Sequence, residues 1–478
     1  MRFIMKNLYK ITGVFALLLT MLAGNVMAQK INGVFDRDMQ YMRYNDQRGV
    51  NVFETTKEDT VGFDGMKVRV GADFALQMQG LGHSNSGAVA LAEIHPGVNL
   101  PTANLNIDAQ LADGVRVHLQ TYLSSRHHND AWVMGGYLQI DNLNFLNLNS
   151  QLADNLMDVL TIKIGQMELN YGDQHFRRTN NAYALGNAFM GNTIMDAFAT
   201  EMAMEVMAQK NGFLAVGGLS NGKLNQGVTS TGNWSVYGKI GVDKQINDDL
   251  RARLTGSVYH NSNLANSNLY AGDRAGSRFY SVMDVPGHSP TSSFRNGRVN
   301  PDFTGNITAF MINPFVKFKG LEFFGTYEVS NGASKGEMAA DNSETRQWNQ
   351  LNAELIYRFG KNEQFYVGGK YNTAWGTNSA QSGNYIDPTI PDGQNNVVGT
   401  WDVAQASVRQ NRVEVAAGWY MTRNVMMKAG YVMQTYEGYD VYNASVTGAP
   451  EGAVGGSVDA IYEDGKFNGF MIEAAISF

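Results

Sequence analysis

Cysteine is absent from all 478 residues, which excludes a disulfide framework, a thiolate metal site and a lipidated N-terminal cysteine. Proline is scarce at 9, against 52 glycines and an aromatic share of 11%. That balance suits many strands joined by tight turns. No apolar run long enough to cross a bilayer as a helix, about 18 residues, occurs after Gln29. There is no basic excess: 37 Lys and Arg face 44 Asp and Glu, for a formal charge of −7. Nucleic acid is therefore not an expected partner, since its recognition needs clustered cations. Mean hydropathy is only −0.27, far below that of a helical membrane protein but natural for strands whose apolar residues alternate with polar ones.

What is present begins with an address. Arg2, Lys6 and Lys10 precede the short apolar stretch Ile11 to Ala23, and Val26-Met27-Ala28 supplies small residues for cleavage before Gln29. Residues 1–28 are read as a cleavable signal peptide; their loss takes three bases and no acid, leaving the mature chain at −10. Residues 29–65, polar and rich in Asp, Arg and Asn, are expected to form a periplasmic lead-in. They are too short for the plug domain of an active transporter.

From residue 66 onward the chain has a period of two. In the last strand Phe470, Ile472, Ala474, Ile476 and Phe478 share one face, and Met471, Glu473, Ala475 and Ser477 the other. Leu321, Phe323, Tyr327 and Val329 alternate with Glu322, Thr326, Glu328 and Ser330; Trp234, Val236 and Ile240 alternate with Ser235, Tyr237 and Lys239. One face suits lipid and the other water. Links alternate between tight turns (Asp113-Gly114, Asn211-Gly212, Lys319-Gly320, Thr422-Arg423) and long polar loops near 80–103, 171–197, 262–304, 376–405 and 437–466. The fold class is all-β: a single transmembrane antiparallel barrel over residues 66–478, of about 16 strands (14 to 18), with short periplasmic turns and long extracellular loops. Residues 142–159 stand where a short turn belongs and are read as a longer turn or as strand extensions. Trp375, Tyr420 and Tyr436, near strand ends, are expected in the interfacial girdles.

A C-terminal strand ending on Phe478 resembles the sorting signal of bacterial outer-membrane barrels, which implies the barrel-assembly machinery as a partner and Phe478 as the residue it reads. Ile162-Lys163-Ile164-Gly165-Gln166, followed by Tyr171-Gly172, resembles the strand-to-loop passage of the phosphate-selective porin O/P superfamily, whose members are 16-stranded outer-membrane barrels. The chain has Glu168-Leu169-Asn170 where that family has Pro-Phe and a following Glu, and it lacks an obvious ladder of Lys and Arg. Phosphate selectivity is not carried over.

The loop at 171–197 is the leading site candidate. As the third long outer connection it is expected to fold inward, with Asp173, His175, Arg177 and Arg178 at a constriction; an Arg pair there could attract carboxylate or phosphate groups. The alternative is that the arginines pair with wall carboxylates such as Glu201 or Glu205. Alternation also places Arg116, Lys163, Glu201, Glu205, Arg251, Arg253, Glu354, Arg358, Arg412 and Glu414 toward the lumen, where cross-pairing that neutralises buried charge competes with a solute role. His127-His128 lacks a convergent third ligand, so no metal or cofactor is expected.

The function these features point to is an outer-membrane porin, a passive or weakly selective diffusion channel for small polar or anionic solutes, embedded in lipid; a homotrimer is one assembly open to it. The alternatives are a non-conducting surface scaffold or adhesin barrel and, less favoured, an outer-membrane hydrolase using groups such as His118, Ser124 or His260. No enzymatic activity is expected.

Overall fold

The computed structural model describes residues 38–478 apart from 60, 88, 124–130, 149, 223–231, 265–268, 271, 273–277, 289–292, 340–344, 387–396, 404 and 441–460. The signal segment, Ser124, His127 and His128 therefore lie outside the described residues. The strands are β1 (Lys67–Ser84), β2 (Gly97–Ala112), β3 (Val115–Leu123), β4 (Trp132–Ile140), β5 (Leu160–Glu168), β6 (Thr200–Lys210), β7 (Phe213–Ser220), β8 (Ser235–Gln245), β9 (Leu250–Asn261), β10 (Asn306–Phe318), β11 (Leu321–Ala333), β12 (Arg346–Phe359), β13 (Phe365–Thr377), β14 (Gln381–Ile386), β15 (Val397–Val403), β16 (Ser407–Thr422), β17 (Val425–Glu437) and β18 (Lys466–Ser477). Among the described residues, sixteen of them close into one antiparallel barrel in sequence order, while β14 and β15 pair only with each other. Closure joins β1 to β18, from Asp73 opposite Ser477 to Ser84 opposite Lys466.

The barrel closes because the two faces of each strand have different solvents. In β11, Leu321, Phe323 and Tyr327 are exposed while Glu322, Phe324, Thr326, Glu328 and Ser330 are buried. β8, β10 and β12 repeat this, exposing Ile240, Phe310, Ile312, Leu351 and Leu355. A belt of large apolar side chains facing out around a polar interior is the inverse of a soluble protein and suits hydrocarbon. Near the turn end Tyr357, Phe359, Phe365 and Trp419 stack in series across three strands, with ring centroids 5.8, 5.7 and 6.1 Å apart, as an interfacial girdle would. Tyr420 and Tyr436 do not join it. Both are buried inside, where Tyr420 donates to Leu185 O at 3.1 Å and Tyr436 stacks on Tyr462 at 4.5 Å.

Turn chemistry fixes the register. Asn211 and Gly212 have φ of 53° and 79°, the left-handed pair that a two-residue hairpin requires. The connection at 141–159 is a longer turn carrying a short helix, Gln151–Met157, whose N-terminus is capped by Ser150 accepting from Ala153 N at 3.4 Å.

Candidate functional site

The barrel interior is lined by charge held in pairs. Arg358 meets Glu322 at 2.7 Å, Lys428 meets Glu473 at 2.8 Å, and Arg251 grips Asp243 through two hydrogen bonds of 2.8 and 2.7 Å. Glu205 accepts from Tyr237 at 3.1 Å and Glu201 from Ser220 at 2.5 Å. These groups come from different strands, so neutralisation depends on the pairing of neighbouring strands. An unpaired charge in such a place would cost several kcal/mol, on the order of 3 to 5.

The connection from β5 to β6 runs through this interior. Its residues from Leu169 to Ala199 are almost all buried, and it is tied to the wall by hydrogen bonds from many strands. Asp173 is the densest anchor. It accepts two bonds from Arg253 at 2.8 and 2.8 Å, one from Thr255 at 2.8 Å and one from Lys239 at 3.0 Å, while its own N–H donates to Asn313 at 2.8 Å. Burial alone would raise the Asp173 carboxyl, but Lys239 and Arg253 outweigh it and hold the group well below the usual carboxylate range. Further along, the N–H groups of Met190 and Gly191 donate to Glu414 at 3.0 and 2.9 Å, Lys370 donates to Gly191 O at 2.9 Å, and Arg412 donates to Asn192 O at 2.5 Å. Ile194 N and Met195 N reach Asn372 and Gln350 at 2.6 and 2.9 Å.

The two neighbouring arginines are both ion-paired. Arg178 forms a bidentate pair with Asp196 at 2.9 and 2.6 Å, both side chains 1% exposed or less, and lies 3.9 Å over the Phe198 ring. Asp196 is buried too, yet Arg178 and Arg298 keep its carboxyl below the ordinary value. Arg177 hydrogen-bonds Asn51, lies 3.4 Å from Glu354 and 3.8 Å from Glu322, and faces the Phe324 ring at 4.9 Å. Glu354 and Glu322, not Glu201 or Glu205, are thus the wall carboxylates that meet Arg177. His175 stacks on Phe176 at 3.9 Å; burial, then Lys239, push its imidazole well below the usual histidine range, so it is neutral at pH 7.

Two more segments enter. The 38–65 stretch, expected as a lead-in, lies against the turns and inner wall at the turn end. Gln47 N donates to Arg423 O at 2.9 Å, Lys57 donates to Asp141 O and Leu160 O at 2.6 and 2.9 Å, and Asn51 donates to Glu322 at 2.5 Å. Glu54 joins the Asp173 cluster, 2.7 Å from Arg253 and 3.1 Å from Lys239, and Phe53 packs on Phe315 and Phe324. From the loop end, Arg278 reaches Glu473 at 2.5 Å, Tyr270 donates to Glu328 at 2.8 Å, and Gly297 O accepts from Arg412. Arg412 therefore holds two inserted segments at once.

On the β1–β5 side the filling is incomplete. A cavity of about 220 Å³ remains there, lined by Arg43, Arg69, Arg116, His118 and Lys163 against Glu54, Asp108 and Glu168. Arg116 donates to Gln139 at 2.8 Å and lies 3.4 Å from Asp108, which His118 also meets at 2.9 Å. Lys163 has no ion pair within 4 Å among the described residues; it faces the Tyr137 ring at 5.6 Å and stands opposite Glu205 in the β5–β6 register. Of the residues read from sequence, then, Asp173, Arg253 and Glu414 anchor inserted chain, Arg177 and Glu354 meet each other, and Arg116 and Lys163 border open space. Asp108 and the 38–58 segment were not singled out as site residues, whereas alternation does turn Arg69 toward the lumen. Asp108 carries the same inward parity as Gln110 and could have been found by it. Phe478 is half-exposed and closes the seam, exchanging hydrogen bonds of 3.0 and 3.0 Å with Ala72.

No protein-family model and no curated protein matches the chain. Among solved structures it is similar to outer-membrane expressed OmpT of Vibrio cholerae, with TM-score 0.47 and 10% identity over 87% of this chain and 99% of that one. It is likewise similar to the anion-selective porin of Comamonas acidovorans, with TM-score 0.47 and 9% identity over 86% and 100%, and to OprB of Pseudomonas putida, with TM-score 0.47 and 9% identity over 87% and 94%. None of these points to the phosphate-selective porin O/P superfamily in particular. What the likeness concerns is a porin-like β-barrel fold, which in this chain closes with sixteen antiparallel strands among the described residues.

Proposed function

We propose that the chain is an outer-membrane diffusion channel of restricted bore, exported by cleavage after Ala28 and passing small polar or anionic solutes along the β1–β5 side of its lumen. The cavity carries this reading. It lies between the inserted segments and the β1–β5 wall, and its cations, Arg43, Arg69, Arg116 and Lys163, outnumber its carboxylates, Glu54, Asp108 and Glu168. A residue such as Lys163, half-exposed and without an ion pair, can bias passage electrostatically. One unit charge a few ångströms from an ion contributes on the order of 1 kcal/mol in a wet pore, enough for a preference and too little for exclusion. Under this reading Asp173, Arg177 and Arg178 shape the constriction by holding the loop in place, Phe478 engages the assembly machinery, and the apolar belt is solvated by lipid. A homotrimer remains part of the proposal.

A non-conducting scaffold is the second reading, favoured by the three segments that enter the lumen. The hydrolase reading loses support: His118 sits on the inner wall against Asp108, whereas His260 is exposed on the outer face beside Thr308 at 2.8 Å. Planar-bilayer recording of the purified barrel separates the first two. Discrete conductance steps with a modest anion preference support the channel, and a silent, correctly folded barrel sinks it in favour of the scaffold.

A further inference from the structure

The cavity has two chemically different ends. Arg116 lies next to the β2–β3 turn and Lys163 three residues after the start of β5, so the cations sit toward the turn end. Met134 and Met167, both buried, lie toward the loop end of β4 and β5 and line the same space, with Tyr137 and Tyr183 between. Met134 is brought inward by a break in alternation, and Met167 by the same parity as Lys163. A bulge at Gln120/Thr121 shifts the β3–β4 register, and Met134 and Gly135 become consecutive buried positions. In β5, Gln166 and Met167 are likewise consecutive buried residues, after Gly165 at φ 139°. Strict parity would have sent the Met134 thioether to the outer face, whereas Met167 shares the inward parity of Lys163 and faces Glu201 in an unbroken β5–β6 register. The two adjacent strands together set an apolar wall above a cationic floor.

The cavity is also rich in unmet hydrogen-bonding capacity. Seven buried polar atoms on its lining residues have no hydrogen-bond partner: Arg116 Nε, His175 Nδ1 and the Tyr183 hydroxyl, which can donate, and Glu54 Oε2, Asn106 Oδ1, Gln166 Oε1 and Asn180 Oδ1, which accept. Such groups are costly to leave unsatisfied, and the three donors suit an oxyanion. The volume, about 220 Å³, exceeds the roughly 150 Å³ that holds a benzene molecule. An inorganic oxyanion would satisfy the floor and leave the thioether wall facing water. A neutral ring would do the reverse.

Resting on the channel reading above, we propose that this cavity binds an organic carboxylate with a ring-sized apolar body, its carboxylate toward Lys163 and Arg116 and its body against Met134 and Met167. Titration calorimetry of the folded barrel in detergent tests it, with sodium benzoate, benzyl alcohol and sodium phosphate as probes. Benzoate is expected to bind saturably at one site, and both other probes to bind more weakly. Lys163→Gln should weaken benzoate about tenfold, the loss of one charge-assisted contact, and Met134→Gln should weaken it without improving phosphate. Both variants are checked for heat-modifiable migration, and Lys163 has no ion pair whose loss would unfold the barrel. No saturable benzoate binding, or unchanged binding in both variants, overturns the site; phosphate binding as tightly as benzoate overturns the ligand class. Conductance without benzoate binding keeps the channel and removes the site, whereas binding without conductance keeps the site and removes the channel.

Discussion

Asp173→Asn is the sharpest perturbation of the lumen. The carboxylate receives four side-chain hydrogen bonds from Arg253, Thr255 and Lys239, none longer than 3.0 Å, at 0% side-chain exposure. The amide keeps the shape and removes the charge, leaving Arg253 and Lys239 to share Glu54, with Asp243 3.1 Å from Arg253. Breaking a buried pair this way costs about 3 to 5 kcal/mol. The barrel ladder does not depend on that carboxylate, so the cost falls on local opening of the loop and raises the detached population by about two to four orders of magnitude. Single-channel recordings should show larger or noisier conductance, and limited proteolysis should cut near residues 171–197 without loss of heat-modifiable migration. The same logic fixes the pH dependence. The folded-state pKa of Asp173 is depressed, so its contribution is complete above the ordinary carboxylate pKa and lost only as pH falls through the lower folded value. Wild-type loop attachment should thus be flat from pH 8 to about pH 5 and weaken only in stronger acid. If Asp173→Asn matches wild type in both conductance and cleavage, the anchoring argument is wrong.

Replacing Arg178 with Glu would set two carboxylates together at Asp196, so loss of loop order and falling yield are expected rather than a clean change in ion selectivity; an intact barrel with reversed selectivity would contradict the pairing described. Lys163→Glu, by contrast, should leave folding intact and move the zero-current potential in a salt gradient toward cations, and an unmoved potential would take the passage away from β5. Deleting residues 29–58 should raise conductance, because Asn51, Phe53 and Glu54 would no longer occupy the turn end; unchanged conductance would mean that the segment does not limit flow. Phe478→Ser removes the exposed ring at the closing seam and should slow assembly, measured as lower outer-membrane abundance and more periplasmic degradation.

The wall was legible because lipid and lumen impose opposite chemistry on adjacent residues. β9 spans Leu250–Asn261, as the alternation of Leu254 with Arg253 and Thr255 implied. Tyr420 and Tyr436 were legible too, since parity carried forward from Arg412 and Lys428 turns both inward; assigning them to a girdle gave aromatic character precedence over parity. Partners inside the lumen were not legible. Asp173 meets Arg253 from 80 residues away and Arg412 meets Asn192 from 220, and no local pattern encodes such meetings. The β14–β15 hairpin was missed because it lies beyond the barrel wall, where no membrane imposes alternation. Met134 was hidden for a related reason: a bulge changes parity without changing composition.

The inserted loop has a consequence for how the chain reaches its final state. Met190 and Gly191 donate to Glu414 across sequence separations of 224 and 223 residues, and Lys428 donates to Asn187 O across 241. Those partners lie on β16 and β17, among the last strands in the chain, so the loop between β5 and β6 cannot finish bonding until nearly the whole wall exists. Contacts of such separation form late and slowly. Until then Glu414, Arg412 and Lys428 lack the backbone partners that satisfy them, and a half-closed sheet carries uncompensated charge on its concave side. Seam closure between β1 and β18 and packing of the interior are thereby coupled into one late cooperative step, and a barrel arrested before it would be wet, charged inside and open to proteases.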